Sequence, residues 1–170
     1  MLRKLTEAGF TVNASKCSFC RTEISFLGHV ITEKGVALCP KTIEAILIYP
    51  PPKNQKQLRQ FLGVCNYHHT FIVGYANFNA PLLALLKKGT KWKWTPELQR
   101  ALETLRAKFA DNIHLVHPDV LLPHTINTDA SGRKTEAVLM RTNEEGETFI
   151  VSTASRVLNR TEQRYSVAEQ

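Results

Sequence analysis

The segment "LRQFLGVCNYHH", from Leu58 to His69, carries the clearest helical pattern in the sequence. Its apolar residues, with one that follows it, recur at the spacing of one face of an α-helix that turns by about 100° per residue. These residues are Leu58, Phe61, Leu62, Cys65 and Ile72. Gly63 falls on the opposite face, where a helical glycine costs roughly 1 kcal/mol relative to alanine. The stretch therefore predicts an amphipathic helix from about Gln55 to Ile72 whose outer face carries bare backbone.

The outer face of this helix presents Arg59 one turn before Gly63 and Tyr67 one turn after it. A long cationic donor, a missing side chain and an aromatic ring in line suit the minor groove of a paired nucleic acid. The glycine would let the backbone come close, the arginine would donate hydrogen bonds, and the tyrosine would pack against a sugar. The same residues also fit a helix–helix contact that uses glycine for close packing, so the residues alone leave both interpretations open.

The composition indicates a globular protein with an uneven charge. The chain has 170 residues, 43% apolar and 22% charged, which is enough for one ordinary core or two small ones. Residues 1–90 hold 11 Lys/Arg and 4 Asp/Glu, whereas residues 91–170 hold 11 of each. A basic first half favours a polyanionic partner for that half, although a role in solubility explains it equally well.

The sequence indicates neither a membrane-spanning segment nor a framework of disulfide bonds. No apolar run approaches the roughly 18 residues that span a bilayer. The first residues, "MLRKLTEAGF", lack the apolar core of a signal peptide. We therefore expect no membrane partner and an intracellular protein, with cytoplasm and nucleus not distinguished. The four cysteines show no dense disulfide framework and are expected to be reduced thiols.

A zinc site is a further alternative, because Cys17 and Cys20 form a Cys-x-x-Cys pair. A structural zinc ion needs four ligands at tetrahedral spacing, and no second Cys/His pair lies at a matching distance. Cys39 and His29 would have to be recruited to complete the site.

The region before the amphipathic helix predicts short strands and a linker. Residues 16–32 fit two strands around a polar turn at Arg21–Glu23, with Gly28 inside a strand indicating a bulge or a close backbone approach. An ordinary hairpin is the alternative there. A short helix is expected over residues 40–48, and the prolines at 50–52 predict an extended linker after it.

The region after the amphipathic helix predicts further helices and then strands. Thr95 is placed as the N-cap of a helix, and from residue 121 onward the apolar period changes to two, which predicts three strands. The first of these strands is expected to end in Asp129. An acid there is typical of metal ligands at phosphate-processing sites, although a lone aspartate is also a common turn former. Ser166 and Glu169 have capping-box spacing and predict a helix start.

These segments together resemble the Pol polyprotein of gypsy-type long-terminal-repeat retrotransposons, and more distantly that of retroviruses. The strings that carry the resemblance, in order, are "KCSF", "ISFLGHVITEKGV", "LRQFLGVCNYHHTFI", "PLLALLKKG", "WKWTPELQRALETLR", "INTDAS" and "ASRVLNRTEQRYSVAEQ". The resemblance implies an α/β (α+β) fold. It would comprise the end of a reverse transcriptase palm with a primer-grip-like hairpin (1–49), a helical thumb (50–90), a connecting segment (91–120) and a truncated RNase H-like domain (121–170).

The resemblance also implies nucleic-acid-binding residues. In that family the "FLGH" region is the primer grip, which lies near the primer end. The matching positions here are Phe26, Leu27, Gly28 and His29. The family's thumb helix tracks the minor groove of the template–primer, which implies that Arg59, Gly63 and Tyr67 contact it. The implied partners are an RNA–DNA hybrid or a DNA duplex, and the remainder of the Pol polyprotein.

The resemblance implies one catalytic and metal-binding residue, Asp129, with Mg²⁺ as the cofactor. Two-metal hydrolysis needs several carboxylates around ions about 4 Å apart. The next family glutamate would follow Gln170, and the polymerase carboxylates would precede Met1. We therefore expect a fragment that binds template–primer and is inactive alone. The alternatives are RNase H-type hydrolysis with carboxylates supplied elsewhere, and a domesticated interaction module.

Three positions depart from the family pattern. Lys134 and Glu136 stand where the family has glycines, and His69 stands where it commonly has an arginine. Side chains at the first two positions would occupy space where backbone normally crowds close, which weakens the expectation of an intact RNase H site.

Overall fold

A computed structural model describes residues 2–159 and 161–165. Its α-helices are α1 (Leu2–Glu7), α2 (Pro40–Leu47), α3 (Gln55–Tyr67), α4 (Tyr75–Ala84) and α5 (Pro96–Ala110). Its strands are β1 (Glu23–Phe26), β2 (His29–Thr32), β3 (Gly35–Leu38), β4 (Leu115–Val116), β5 (His124–Ser131), β6 (Lys134–Thr142) and β7 (Thr148–Val157). Short 3-10 turns occupy Ala14–Lys16, His69–Phe71 and Glu162–Arg164. The predicted helix start at Ser166 and Glu169 lies outside the described residues.

The strands form two antiparallel sheets. The first has the order β1-β2-β3-β4, and the second is the meander β5-β6-β7. The predicted α/β (α+β) fold class is confirmed, since helices α2 to α5 lie in the chain between β3 and β4 of the first sheet and supply most of the core.

The first hairpin turns at Leu27 and Gly28, so the predicted polar turn at Arg21–Glu23 is wrong. Phe26 pairs with His29 across the ladder, which leaves a two-residue loop. Both loop residues have positive φ, 49° at Leu27 and 83° at Gly28. This is the requirement of the tight turn that matches strand twist. The bulge at Gly28 is wrong for the same reason, because Gly28 lies in the turn, and the alternative of an ordinary hairpin is confirmed.

Helix α3 begins where predicted, because the Asn54 side chain accepts a hydrogen bond from the Gln57 backbone N–H at 2.9 Å and caps the helix. It ends at Tyr67, five residues before the predicted end at Ile72. The apolar spacing continued past the true end because the following 3-10 turn still directs Phe71 and Ile72 into the core.

One apolar cluster holds the helices and the first sheet together. α3 contributes four residues to it, and α5 contributes three. They are Leu58, Phe61, Leu62 and Cys65 from α3 and Leu102, Leu105 and Phe109 from α5. Leu38 of β3, Ile46 of α2 and Leu115 of β4 belong to the same cluster. Thr95 caps α5 as predicted, by accepting a hydrogen bond from the Leu98 N–H.

The second sheet is fastened to the helices through two hydroxyl groups of β7. Thr153 Oγ1 donates to the carbonyl oxygen of Thr70 at 2.9 Å, and Ser155 Oγ accepts from the Ala76 N–H at 2.9 Å. β5 lies at the edge of this sheet, and every residue of it is exposed, including Ile126. Exposed apolar side chains on an edge strand are a liability for association.

Removing a core side chain from α3 should destabilise the whole fold. Leu58 is 0% exposed and Leu121 is 89% exposed. We expect Leu58→Ala to lower the free energy of unfolding by about 2–5 kcal/mol, because it leaves a cavity in the shared cluster. Leu121→Ala, the matched control, should change it by no more than about 0.5 kcal/mol. Urea denaturation followed by tryptophan fluorescence measures both, and equal losses would contradict this assignment of the core.

Candidate nucleic-acid interface

The outer face of α3 is open. Arg59 and Gly63 are exposed, and Tyr67 is 56% exposed. A Cβ atom built on Gly63 meets no heavy atom within 4 Å. Among the described residues, therefore, no other helix packs against this glycine, and the helix–helix alternative does not hold within the chain. The bare backbone predicted from the sequence faces open space, between a guanidinium and a phenol ring.

The tip of the first hairpin presents apolar side chains. Phe26 is 59% exposed and Leu27 is 63% exposed. Both belong to the predicted primer-grip-like segment, and they flank or form the two-residue loop. Large apolar groups held out on a tight turn are available to a partner of the chain.

Gly28, in contrast, is enclosed by its surroundings. A Cβ atom at this position would lie 3.0 Å from Thr42 Oγ1 and 3.1 Å from Cε1 of His68. The Gly28 carbonyl oxygen accepts hydrogen bonds from the Cys39 N–H at 2.9 Å and from Thr42 Oγ1 at 3.2 Å. Both its positive φ and this close approach require glycine. The loop is thereby fastened to the beginning of α2.

A pair of histidines joins the hairpin to the end of α3. His68 Nδ1 lies 3.1 Å from His29 Nε2, within hydrogen-bond distance. The His29 ring also lies 5.7 Å from the Tyr67 ring and stacks on Phe71 at 5.3 Å, measured between ring centroids. The two predicted nucleic-acid-binding segments, 26–29 and 59–67, therefore meet at His29 and Tyr67. His68 links them, and in the sequence only its position beside Tyr67 hints at this role.

The environment of His68 favours its neutral form. Burial, and to a smaller extent the charge on His29, lowers the pKa of His68 to about 4. The imidazole is therefore neutral at pH 7. In this form one ring nitrogen is a donor and the other an acceptor, so it can share a single proton with His29 across the 3.1 Å contact.

The zinc alternative finds no support in the described part of the chain. All four cysteines are free thiols, and no three or more His, Cys, Asp or Glu side chains described here come together to hold a metal ion. Cys65 is buried in the core, and burial raises the pKa of its thiol to about 12, so it stays protonated.

Asp129 lies inside β5 rather than at its end. The strand continues to Ser131, and Asp129 pairs with Glu136 across the β5–β6 ladder. The predicted strand end and the turn-former interpretation are both wrong, because the ladder continues for two residues beyond Asp129. Residues directly opposite on an antiparallel pair share a face. The two carboxylates line one cleft of about 640 Å³, together with His69 and Ser155.

The two family departures in β6 make contacts with α4. The Glu136 Oε2 atom accepts a hydrogen bond from Asn77 Nδ2 at 3.3 Å, and the Lys134 ammonium donates to Asn77 Oδ1. A Cβ atom on Gly74 would lie 2.8 Å from Glu136 Oε2, so the helix start comes close to this carboxylate. Asn77 lies 57 to 59 residues from these partners, so no local sequence signal could have shown the contact.

The described residues do not fit a complete two-metal centre. Asp129 and Glu136 supply two carboxylates, and the second is hydrogen-bonded to Asn77. One or two carboxylates with substrate phosphates can hold a single Mg²⁺, whereas two-metal hydrolysis needs a larger set. Among the residues described, no group of three or more carboxylates, histidines or cysteines could hold a metal ion, although His69 lines the same cleft.

The chain is similar in sequence to known proteins. Residues 94–170 match the model of the family described as the RNase H-like domain found in reverse transcriptase. The Transposon Tf2-3 and Tf2-4 polyproteins of Schizosaccharomyces pombe are each 35% identical to this chain over 169 residues. The match covers 99% of this chain and 13% of each polyprotein, so the chain spans about an eighth of their length.

Solved structures agree with the sequence relatives. The foamy viral protease-reverse transcriptase in complex with dsDNA has a TM-score of 0.78 and 27% identity, over 98% of this chain and 35% of that one. The same enzyme in complex with an RNA/DNA hybrid has a TM-score of 0.77 and 28% identity, over 96% of this chain and 22% of that one. The predicted resemblance to Pol polyproteins of the gypsy type is thus confirmed. No helix in the described ranges is long and apolar enough to cross a bilayer.

Lowering the pH should destabilise the fold through His68. The unfolded side chain takes up a proton near its ordinary pKa of 6.5, whereas the folded one does so only near pH 4. Stability is therefore lost as the pH falls from about 6.5 to about 4. We expect a shallower slope of unfolding free energy against pH in His68→Gln than in the parent chain.

The control for this pH dependence is His114→Gln, at an exposed histidine, which should keep the parent slope. Chemical denaturation at half-unit pH steps measures all three chains. If His68→Gln and the parent chain have equal slopes in this window, the neutral, buried state of His68 is contradicted.

Proposed function

We propose that this chain is the part of a retrotransposon reverse transcriptase/RNase H that grips paired template–primer nucleic acid, either an RNA–DNA hybrid or a DNA duplex. The observation that carries the proposal is the open backbone at Gly63, with Arg59 and the exposed Tyr67 one turn away on either side. The foamy viral enzymes that match this chain are described as complexes with dsDNA and with an RNA/DNA hybrid, which supports the same class of ligand.

The outer face of α3 is better suited to a nucleic-acid groove than to a single phosphate group. Arg59 to Tyr67 covers about 12 Å of helix at 1.5 Å per residue. Over this length the guanidinium donates to sugar or phosphate oxygens, the glycine admits the nucleic-acid backbone, and the phenol ring packs on a sugar. These contacts recognise the shape of the groove and the pairing of the two strands, so binding does not depend on base sequence.

The hairpin tip extends the same surface toward the primer end. His29 contacts Tyr67, so the exposed Phe26 and Leu27 lie at the end of the α3 face. The basic charge of residues 1–90 adds long-range attraction to a polyanion. We propose that Phe26, Leu27, Gly28 and His29 hold the primer end while α3 follows the groove.

Gly63→Ala gives the sharpest test, because stability and binding should change in opposite directions. The added methyl group meets nothing in the free chain, so the substitution should raise the free energy of unfolding by about 0.5–1 kcal/mol. If nucleic-acid backbone comes close here, the same methyl group should weaken hybrid binding at least threefold. Urea denaturation and fluorescence anisotropy with a labelled RNA–DNA hybrid measure the two effects.

Val64→Ala is the matched control, because it changes the next, exposed residue of the same helix and should leave hybrid affinity unchanged. Arg59→Ala and Tyr67→Ala should each weaken binding several-fold, since each removes an interaction of about 1 kcal/mol. If all three variants of this face bind like the parent chain, the groove assignment fails. A domesticated module that binds a protein partner would then be the better interpretation.

We further propose that the chain alone does not hydrolyse RNA in a hybrid and that the remainder of the Pol polyprotein supplies what catalysis needs. Support comes from Asp129 and Glu136, the two carboxylates that share a cleft, since hydrolysis with two Mg²⁺ ions requires more ligands. We expect no RNA cleavage above background when the purified chain is incubated with Mg²⁺ and labelled hybrid. Cleavage that Asp129→Asn abolishes would contradict this proposal and favour RNase H activity.

A further inference from the structure

We propose that a second cleft, between α4 and the β5–β6 turn, binds phosphate groups along the backbone of the same paired nucleic acid. The cleft has a volume of about 670 Å³ and lies on the side of β6 that contacts α4. The identity of the ligand rests on the proposed function, whereas the site itself rests on the residues that line it.

Three cationic residues from two segments of the chain line this cleft. Lys87 follows the end of α4, Arg133 lies in the turn between β5 and β6, and Lys134 begins β6. None of the described residues that line the cleft carries a carboxylate. Lysine and arginine on the walls of one concave site, without an acid among them, are the usual means of holding phosphate oxygens.

Hydrogen bonds between distant segments hold the walls in place. Asn77 of α4 accepts from the Lys134 ammonium, and the Leu158 N–H donates to the Arg133 carbonyl oxygen at 2.8 Å. The Gln163 side chain, which also lines the cleft, donates to the Leu158 carbonyl oxygen at 2.7 Å. The cations are therefore carried on backbone that is already ordered, which reduces the entropic cost of binding.

The nearest acids do not cancel this charge. Glu162, next to Gln163, forms an ion pair with Arg156, 2.7 Å between Nη1 and Oε2. Glu136 accepts a hydrogen bond from Asn77 and lines the neighbouring cleft instead. The basic cleft thus keeps an excess of positive charge, which favours a polyanion over a neutral ligand.

The position of the cleft favours nucleic acid as the polyanion. Lys134 and Asn77 line the basic cleft, whereas Glu136, bonded to the same Asn77, lines the cleft that contains Asp129. The hydrogen bond between Asn77 and Glu136 therefore lies between the two clefts. Phosphates held by Lys87 and Arg133 would therefore lie on the side of this contact away from the cleft that contains Asp129, and one strand could occupy both clefts.

Binding of a labelled RNA–DNA hybrid by the full chain tests this site. The double variant Lys87→Gln/Arg133→Gln removes two cations. Among the described residues these two side chains make no hydrogen bond, so the fold should not depend on them. Lys4→Gln/Lys16→Gln removes the same charge from exposed positions near the start of the chain and is the matched control. Urea denaturation verifies that both variants fold.

We expect the cleft double variant to weaken hybrid binding about tenfold or more at moderate salt. The slope of log affinity against log salt should fall by about 2, one for each phosphate that is no longer neutralised. The control should change affinity less than about threefold and keep the parent slope. The single variant Lys87→Gln should give about half the change in slope.

Equal weakening by the cleft variant and the control would overturn the proposal, because it would show only the effect of net charge. Weaker binding to phosphatidylserine vesicles with unchanged binding to the hybrid would also overturn it, in favour of a membrane surface. If Arg59→Ala and Tyr67→Ala bind normally while the cleft variant does not, the basic cleft stands and the α3 groove assignment fails. The reverse pattern overturns the basic cleft alone.

Discussion

The burial of one face of α3 determines how the other helices and the first sheet are arranged. Leu58, Phe61 and Cys65 are almost fully buried in the cluster that also holds α2, α4, α5 and the first sheet. A helix that turns by 100° per residue cannot bury these side chains without turning Arg59 and Gly63 outward. The apolar core thereby sets the direction of the proposed nucleic-acid face, although no residue of that face belongs to the core.

The end of α3 extends this constraint to the first sheet. His68 is buried at the last turn of the helix and contacts His29, which pairs with Phe26 at the hairpin turn. Gly28 can approach His68 closely only because it has no side chain. The hairpin tip and the helix face are therefore placed by a packed contact between elements, and neither can shift without breaking it. A surface that must hold a helical ligand at two points benefits from such a rigid link.

Elements with a strong local signal were predictable from the sequence, and contacts between distant segments were not. The cap at Thr95 anticipated α5 and the apolar period anticipated α3, and the open Gly63 followed from the same period. The turn at Leu27 was missed because an apolar residue with positive φ carries no turn signal. The link from His68 to His29 spans 39 residues, and the basic cleft joins three segments, so neither is visible in a local pattern.

The second sheet depends more on polar contacts, although Ile150 of β7 also packs against the apolar cluster. Its edge strand β5 is exposed throughout, and its attachment to the helices uses hydroxyl groups of β7 and the contacts of Asn77 with Lys134 and Glu136. Polar contacts of this kind are worth about 1 kcal/mol each, less where solvent screens them. The sheet that carries Asp129 is therefore held less firmly than α3, and local opening should begin there. Lys134 and Glu136 strengthen this attachment, since both of them form hydrogen bonds with Asn77. Glu136, which lines the cleft that contains Asp129, thus also helps to fix the position of this sheet against the helices.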